Sequence, residues 1–282
     1  MPLYALHLDQ LIHAEEAPDR GNYRCLECRN PMQVRQGRRR RHFYHIKTTP
    51  SCRLYSKSED HLLLQLQIQS LFPKGEIFLE HPFLSIGRMA DACWERHQLI
   101  FEVQCSLMTK KESEERIKDY GSLGYKIVWL LDDRLFNRRY IRPAETFLRE
   151  NICYYIHYRK MDLSLFYDQF ELLQEKKRLK KGSKVPVTLT SPRQMPKTLG
   201  QEPLPQQILS RNQSWPLFFE GDLIHKALLS KTIRPLAVSM QNWLFWEHSL
   251  SNETNVKKWA LPTWFTYCLY RFFEWVLDQI ND

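Results

Sequence analysis

Glycine is scarce in this chain, with nine residues in 282, about 3%, against a usual ~7%. So few glycines argue against a collagen-like repeat, Gly-rich linkers and the loops that cradle nucleotide phosphates. No run of ~18 uncharged apolar residues occurs, so no membrane span is expected. The nearest candidate, residues 261–280, is broken by Arg271 and Glu274. The opening residues MPLYALHLDQ lack a basic segment followed by an unbroken apolar one, and no secretory signal is legible. Seven cysteines, an odd number, without such a signal are expected as reduced thiols in the cytoplasm. Internal repeats are absent too. With 43% hydrophobic and 26% charged residues, the chain has the make-up of a folded globular protein.

Acidic side chains are missing from two stretches. Residues 20–57 hold 11 basic side chains and one acidic (Glu27), and residues 174–197 hold eight and one (Glu175). The remainder is acidic, so the overall net charge of +9 comes from two basic segments on an acidic body. That pattern fits a localised contact with a polyanion.

Sequence punctuation divides the chain into five parts: 1–57, with a Cys/His cluster; 58–150, mixed; 151–185, a charged and mostly helical extension; 186–216, a Pro-rich linker; and 217–282, an aromatic-rich helical unit whose tryptophans are expected in its core. In the second part a helix is predicted from Glu59 to Phe72, with Ser58 as N-cap. Three strand-like runs follow (76–80, 84–93 and 98–105). A helix then opens at Thr109-Lys-Lys-Glu112, a capping-box pattern, and the apolar run Tyr125–Leu131 reads as a buried strand. Helix, three strands, helix, strand is an α/β order.

Cys25-Leu-Glu-Cys28 is a C-x2-C knuckle, with Cys52 downstream and His42 and His45 between. Two thiolates so spaced can share one tetrahedral ion, and a third cysteine with one histidine closes a Cys3His structural zinc site. His45 is favoured over His42. Arg38, Arg39, Arg40 and Arg41 sit between the halves of this cluster, either as a patch for nucleic-acid phosphates or as a solvated face.

A second constellation lies on a predicted hairpin centred on Glu95 and Arg96. There Asp91 would oppose Ile100 and be the diagonal neighbour of Glu102, within reach of a shared divalent ion. A carboxylate inside an apolar strand needs a partner, and a structural salt bridge explains Glu102 equally well.

The motifs together resemble those of the CoiA-like competence proteins, which join a C-x2-C…H-F-x-H…C zinc region to a restriction-endonuclease-like PD-(D/E)xK nuclease domain. The residues are Cys25-x2-Cys28, His42-Phe43-Tyr44-His45, Cys52, Arg88-Met-Ala-Asp91, Glu102-Val-Gln104-Cys-Ser106 and Arg116-Ile-Lys-Asp-Tyr120. The resemblance covers about residues 20–135. It implies that Asp91 and Glu102 hold Mg2+ or Mn2+, that Gln104 takes the usual lysine position, and that Arg88, Arg116 and Tyr120 serve the phosphate or pack against the sheet. The family also carries an acidic residue ahead of a helix histidine and a lysine one turn later. Here the histidine is His61, the later position is Gln65, and only Glu59 or Glu80 could supply the extra carboxylate. A partly exposed position in the first helical turn is expected for His61, rather than a ligand role.

The resulting expectation is a metal-dependent DNA nuclease with a structural zinc, linked to competence, recombination or repair. It would act on single- or double-stranded DNA, with recombination or competence proteins as possible partners. The alternatives are a DNA-binding protein on the same fold without chemistry, or an RNA-binding or assembly scaffold.

Overall fold

The computed structural model describes residues 2–37, 41–47, 52, 58–159, 162–199 and 203–255; for Glu59, Arg234 and residues 251–255 it describes the backbone alone. Among the described residues no helix is long and apolar enough to cross a membrane.

The N-terminal part is a five-stranded antiparallel sheet in the order β2-β1-β3-β4-β5, built from β1 (Tyr4–His7), β2 (Gln10–His13), β3 (Tyr23–Arg24), β4 (Pro31–Gln36) and β5 (Arg41–His45). The turn between β1 and β2 is made by Leu8 and Asp9, both at positive φ (50° and 60°), the backbone of a tight two-residue hairpin. Tyr23, Met32, Phe43, Cys25 and Cys52 form its core, and Met89 packs against them from the next unit. Leu3 in turn is buried in the main core. The two units are therefore sewn together from both sides.

The main unit opens with α1 (Glu59–Ser70), β6 (Phe78–Phe83), β7 (Arg88–Trp94), β8 (Leu99–Gln104), α2 (Lys110–Ser122) and β9 (Lys126–Asp132). The predicted helix starts hold. Ser58 accepts from the His61 N–H at 3.2 Å, and Thr109 accepts from the Glu112 N–H at 3.1 Å. After these come α3 (Pro143–Arg149), β10 (Cys153–His157), β11 (Leu165–Asp168), β12 (Glu171–Gln174), β13 (Lys177–Lys181) and β14 (Val185–Pro186).

Seven strands form one mixed sheet in the order β14-β11-β10-β9-β8-β7-β6. Strands β8, β9 and β10 run parallel, reached through the crossover helices α2 and α3. Both faces of this centre are covered, as a parallel sheet requires. Leu64 and Ile68 of α1 pack with Ala92, Phe101, Val103 and Val128 on one face. Tyr120 of α2 and Leu148 of α3 pack with Cys93, Ile100, Trp129 and Leu131 on the other.

Three expectations need correction. The hairpin between β7 and β8 is not a two-residue turn at Glu95-Arg96. A 3-10 turn at Glu95–His97 ends in Gln98 at φ +51°, and the ladder pairs Cys93 with Ile100 and Ala92 with Phe101. Ile100 therefore faces Cys93 and not Asp91, which lies beyond the last paired step of this ladder.

Residues 151–185 are strands, with no helix among those described. The helix-favouring composition of 171–181 is overridden by tertiary pairing. Arg178 has 1% of its side chain exposed and bonds to Glu145 and Glu171, an arrangement that the β12–β13 hairpin delivers.

The Pro-rich stretch is no linker either. It contains β15 (Thr188–Gln194) and α4 (Gln206–Ser214), and β15 pairs with β16 (Leu217–Glu220). Leu189, Ile208 and Trp215 are buried, and Tyr154 of the main sheet meets Trp215 edge-on. Pro192 is tolerated because this two-stranded ladder is irregular between Thr188 and Pro192, where no N–H is required. The helices α5 (Leu223–Leu229) and α6 (Arg234–Asn255) complete the described chain. Trp215 and Trp243 are core residues; Trp259, Trp264 and Trp275 lie outside the described residues.

Candidate functional site

The donor atoms of Cys25, Cys28, His45 and Cys52 all lie within 4.8 Å of one another, and the group is largely buried. The knuckle is closed by backbone bonds from the Cys25 N–H to Asn30 O and from the Arg29 N–H to Cys25 O. Sγ of Cys25 lies 3.6 Å from Sγ of Cys52, and Sγ of Cys28 lies 3.3 Å from Nε2 of His45. Burial pushes the Cys25 thiol up and the His45 imidazole down. The ring is thus held in the neutral, ligating form, and the Cys25 sulfur resists ionising without a cation. Three sulfurs and one imidazole nitrogen are a donor set compatible with structural zinc. His42 is not part of it, because its Nε2 accepts from Arg35 Nε at 3.1 Å. Strand alternation separates the two histidines, since His45 pairs with Met32 and His42 with Arg35.

Two buried carboxylates sit on the neighbouring strands β7 and β8. Asp91 is 4% exposed and Glu102 1%. Beyond the last paired step of β7 and β8, the Val103 N–H donates to Asp91 Oδ2 at 2.9 Å. Asp91 Oδ1 is 2.9 Å from His61 Nε2 and accepts from Gln65 Nε2 at 2.9 Å. His61 and Gln65 are i, i+4 on α1, so both reach the same atom. Glu102 is gripped from the other face of the sheet. Arg116 donates to its Oε2, and Tyr120 OH donates to Oε1 at 3.1 Å. Burial opposes the charge on Arg116, but Glu102 and then Asp91 outweigh it and hold the guanidinium protonated. Burial, and then Glu102, push the Tyr120 phenol well up, so it stays a donor. Each carboxylate is thus held by a different helix, α1 for Asp91 and α2 for Glu102.

These groups border a cleft of about 430 Å³, lined by His61, Asp91, Gln104 and Arg116. Gln104 is 8% exposed, and its amide donates to the carbonyl and hydroxyl of Ser106. The same cleft is lined by Leu26, Glu27 and Arg29 of the knuckle region and by Cys52. The two constellations found in the sequence therefore share one concavity.

Other candidates fall elsewhere. His61 is in the first turn of α1 and partly exposed, as expected, and its side chain, 12% exposed, faces Asp91. Glu80 is fully buried and outside the cleft lining. Its carboxylate accepts from the Leu3 N–H and so fastens the N-terminal unit instead of serving the site. Arg88 is bound to Asp119 of α2 at 2.6 Å, and Arg41 to Asp19 at 2.6 Å. Arg38, Arg39 and Arg40, and the side chain of Glu59, lie outside the described residues. Two cleft-associated residues were missed as functional candidates. Gln65 was legible from its i+4 spacing to His61, and Arg29 from its place one residue after Cys28.

Residues 57–186 match the family model described as competence protein CoiA, nuclease-like domain. No curated protein and no solved structure matches the chain.

Proposed function

We propose that this chain, whose residues 57–186 match the CoiA nuclease-like domain model, is a metal-dependent DNA nuclease acting in competence-related DNA processing. The observation that carries the reading is two buried carboxylates on neighbouring strands, Asp91 on β7 lining a cleft and Glu102 on β8 bonded to Arg116 of the same cleft, joined to a family match across that segment. Strand order, α1 and α2 on opposite faces, and the position of the pair support a restriction-endonuclease-like core. Asp91 and Glu102 would hold a divalent ion, Mg2+ or Mn2+, which when bound polarises a scissile phosphate and acidifies water.

The chain's own groups do the rest. Gln104 orients water or a phosphate oxygen through its amide, without the positive charge of a lysine. Arg116 and Tyr120 fix Glu102, and His61 and Gln65 fix Asp91, so the carboxylates do not have to reorganise when the ion enters. The Cys3His cluster holds the knuckle in place as a structural zinc site.

A second reading, a DNA-binding protein on this fold without chemistry, is favoured by one observation: the Gln104 amide is already engaged by Ser106. The two readings separate when purified protein is incubated with single- and double-stranded DNA, with and without Mg2+ or Mn2+, beside Asp91→Asn and Glu102→Gln. Cleavage by wild type alone, and only with the cation, is expected. If all three proteins cleave alike, or none cleaves while wild type still binds DNA, the nuclease reading fails.

A further inference from the structure

The knuckle is a wall of the cleft, so its side chains face whatever enters. The cleft is acidic. Asp91, Glu27 and Glu112 line it, and Glu102 adjoins it through Arg116. A phosphodiester approaching this surface is repelled unless a cation offsets the charge. Three arginines line the cleft, and two are already neutralised. Arg88 is paired with Asp119 and Glu115, and Arg116 with Glu102 and Glu112.

The third is Arg29, which is exposed. Only its backbone N–H is engaged, by Cys25 O; among the described residues its guanidinium has no ion pair or hydrogen bond. Glu27, on the same wall, is drawn toward Cys52, whose Sγ donates to its Oε2 at 3.5 Å. The knuckle also sets the place of Arg29 firmly. It follows Cys28 directly, at φ +58°, inside the turn that the cysteine cluster closes.

We propose that Arg29 is the phosphate-binding residue of the cleft, held on the cysteine knuckle to anchor the nucleic-acid backbone in the concavity that Asp91 also lines. The proposal deepens the reading of this cleft as a nucleic-acid site and rests on it. A guanidinium suits the task because its planar fork matches two phosphate oxygens at once. It also gives the knuckle a use beyond fold stability. The ion that closes the Cys3His group would fix the anchor's position, so substrate binding and the metal cluster are coupled through one residue.

The test is binding of a labelled single-stranded oligodeoxynucleotide, followed by fluorescence anisotropy across a salt series without added Mg2+ or Mn2+. Wild type is compared with Arg29→Asn, Arg29→Gly, Arg29→Lys and Asp91→Asn. Asparagine and glycine both suit a left-handed backbone, so together they guard against a collapsed knuckle; zinc per chain by elemental analysis should equal wild type in each. Loss of the guanidinium is expected to weaken binding about tenfold. It should also lower the slope of log K against log salt by about one phosphate contact. Arg29→Lys should keep the slope and lose only part of the affinity. If the Asn and Gly variants bind with wild-type affinity and slope, the proposal is overturned. Failure of the nuclease reading would look different: with Mg2+ or Mn2+ added, wild type and Asp91→Asn would cleave alike or neither would cleave, while the loss of binding in the Arg29 variants would stand.

Discussion

Asp91 stands where two backbones part, and replacing it tests the geometry of the site independently of any reaction. Its carboxylate meets three nitrogens at 2.9 Å, His61 Nε2 and Gln65 Nε2 at Oδ1 and the Val103 N–H at Oδ2. Asp91→Ala strands all three. Gln65 is fully buried and Val103 is 2% exposed, and a buried donor without an acceptor costs about 1–3 kcal/mol. Water from the cleft can relieve the atoms nearest His61, so the total loss should be about 3 kcal/mol.

Asp91→Asn differs in kind. Its single oxygen must face the Val103 N–H, because a backbone donor cannot turn away. The new NH2 then faces Gln65 and His61. Gln65 can flip its amide and present Oε1, an atom that is buried without a hydrogen-bond partner, and His61 can accept through Nε2 in its other tautomer. The number of orphaned polar atoms does not rise, and the loss should stay within about 1 kcal/mol.

Urea unfolding at neutral pH, read through tryptophan fluorescence, distinguishes the two. The midpoint should fall clearly for Asp91→Ala and little for Asp91→Asn, at unchanged slope. Equal losses, or an Ala variant as stable as wild type, would show that the three donors do not converge on this carboxylate. The result also decides which substitution is the fair control in a cleavage assay.

Two further outcomes follow from buried charge. Arg178→Met removes a guanidinium whose side chain is 1% exposed and leaves Glu145 and Glu171, both buried, with Arg149 alone; stability should drop by about 3–5 kcal/mol, and a loss under about 1 kcal/mol by chemical unfolding would refute the pairing. Burial, and then Asp168, raise Asp222 from its ordinary 3.8 to about 6, so in the folded chain ionising it is unfavourable. Its contribution is therefore full below about pH 4 and is lost as pH rises through about 6, a penalty of about 3 kcal/mol. Asp222→Asn keeps an oxygen to cap α5 at the His225 N–H, and the difference in unfolding free energy between variant and wild type should grow across that pH window. A difference that stays flat with pH would refute it.

Much of the site was legible because it rests on short-range spacing. The C-x2-C knuckle and Cys52 needed only ligand type and distance along the chain. His45 over His42 could have been argued more firmly had 41–45 been recognised as a strand, where residues three apart point to opposite faces. Asp91 and Glu102 were placed on the right strands, but their register depended on the turn. A left-handed Gln98 is a conformation that composition does not announce, and it lengthens the loop so that Ile100 faces Cys93 instead of Asp91. The strands after 150 were hidden for another reason. Lys, Glu, Arg and Leu favour helix locally, whereas β12 and β13 are fixed by partners on α3, more than twenty residues away in sequence. Leu189 and Trp215 were hidden by prolines that suggested a linker, although an irregular two-stranded ladder admits proline without losing a bond.

The same structure changes what the net charge means. Of the eight basic residues in 174–197, five are occupied within the fold. Arg178 is buried in its pairs, Lys181 donates to Asn137 O at 2.6 Å, and Lys184 pairs with Asp133 at 3.0 Å. Lys180 lies 3.4 Å from the ring centre of Trp246, and Arg193 is 3.3 Å from Glu220. A cation already facing a carboxylate or an aromatic ring gains less when a phosphate arrives, so these five add less to polyanion affinity than their number suggests. The N-terminal stretch differs because it belongs to the unit that walls the cleft. Even there Arg41 faces Asp19, while Arg35 bonds His42 and lies over Tyr44. On the proposal for Arg29, attraction for a phosphate acts inside the cleft that Asp91 lines. An acidic site needs that arrangement: the backbone must be drawn in at one point on the wall and held against the repulsion of Asp91 and Glu102.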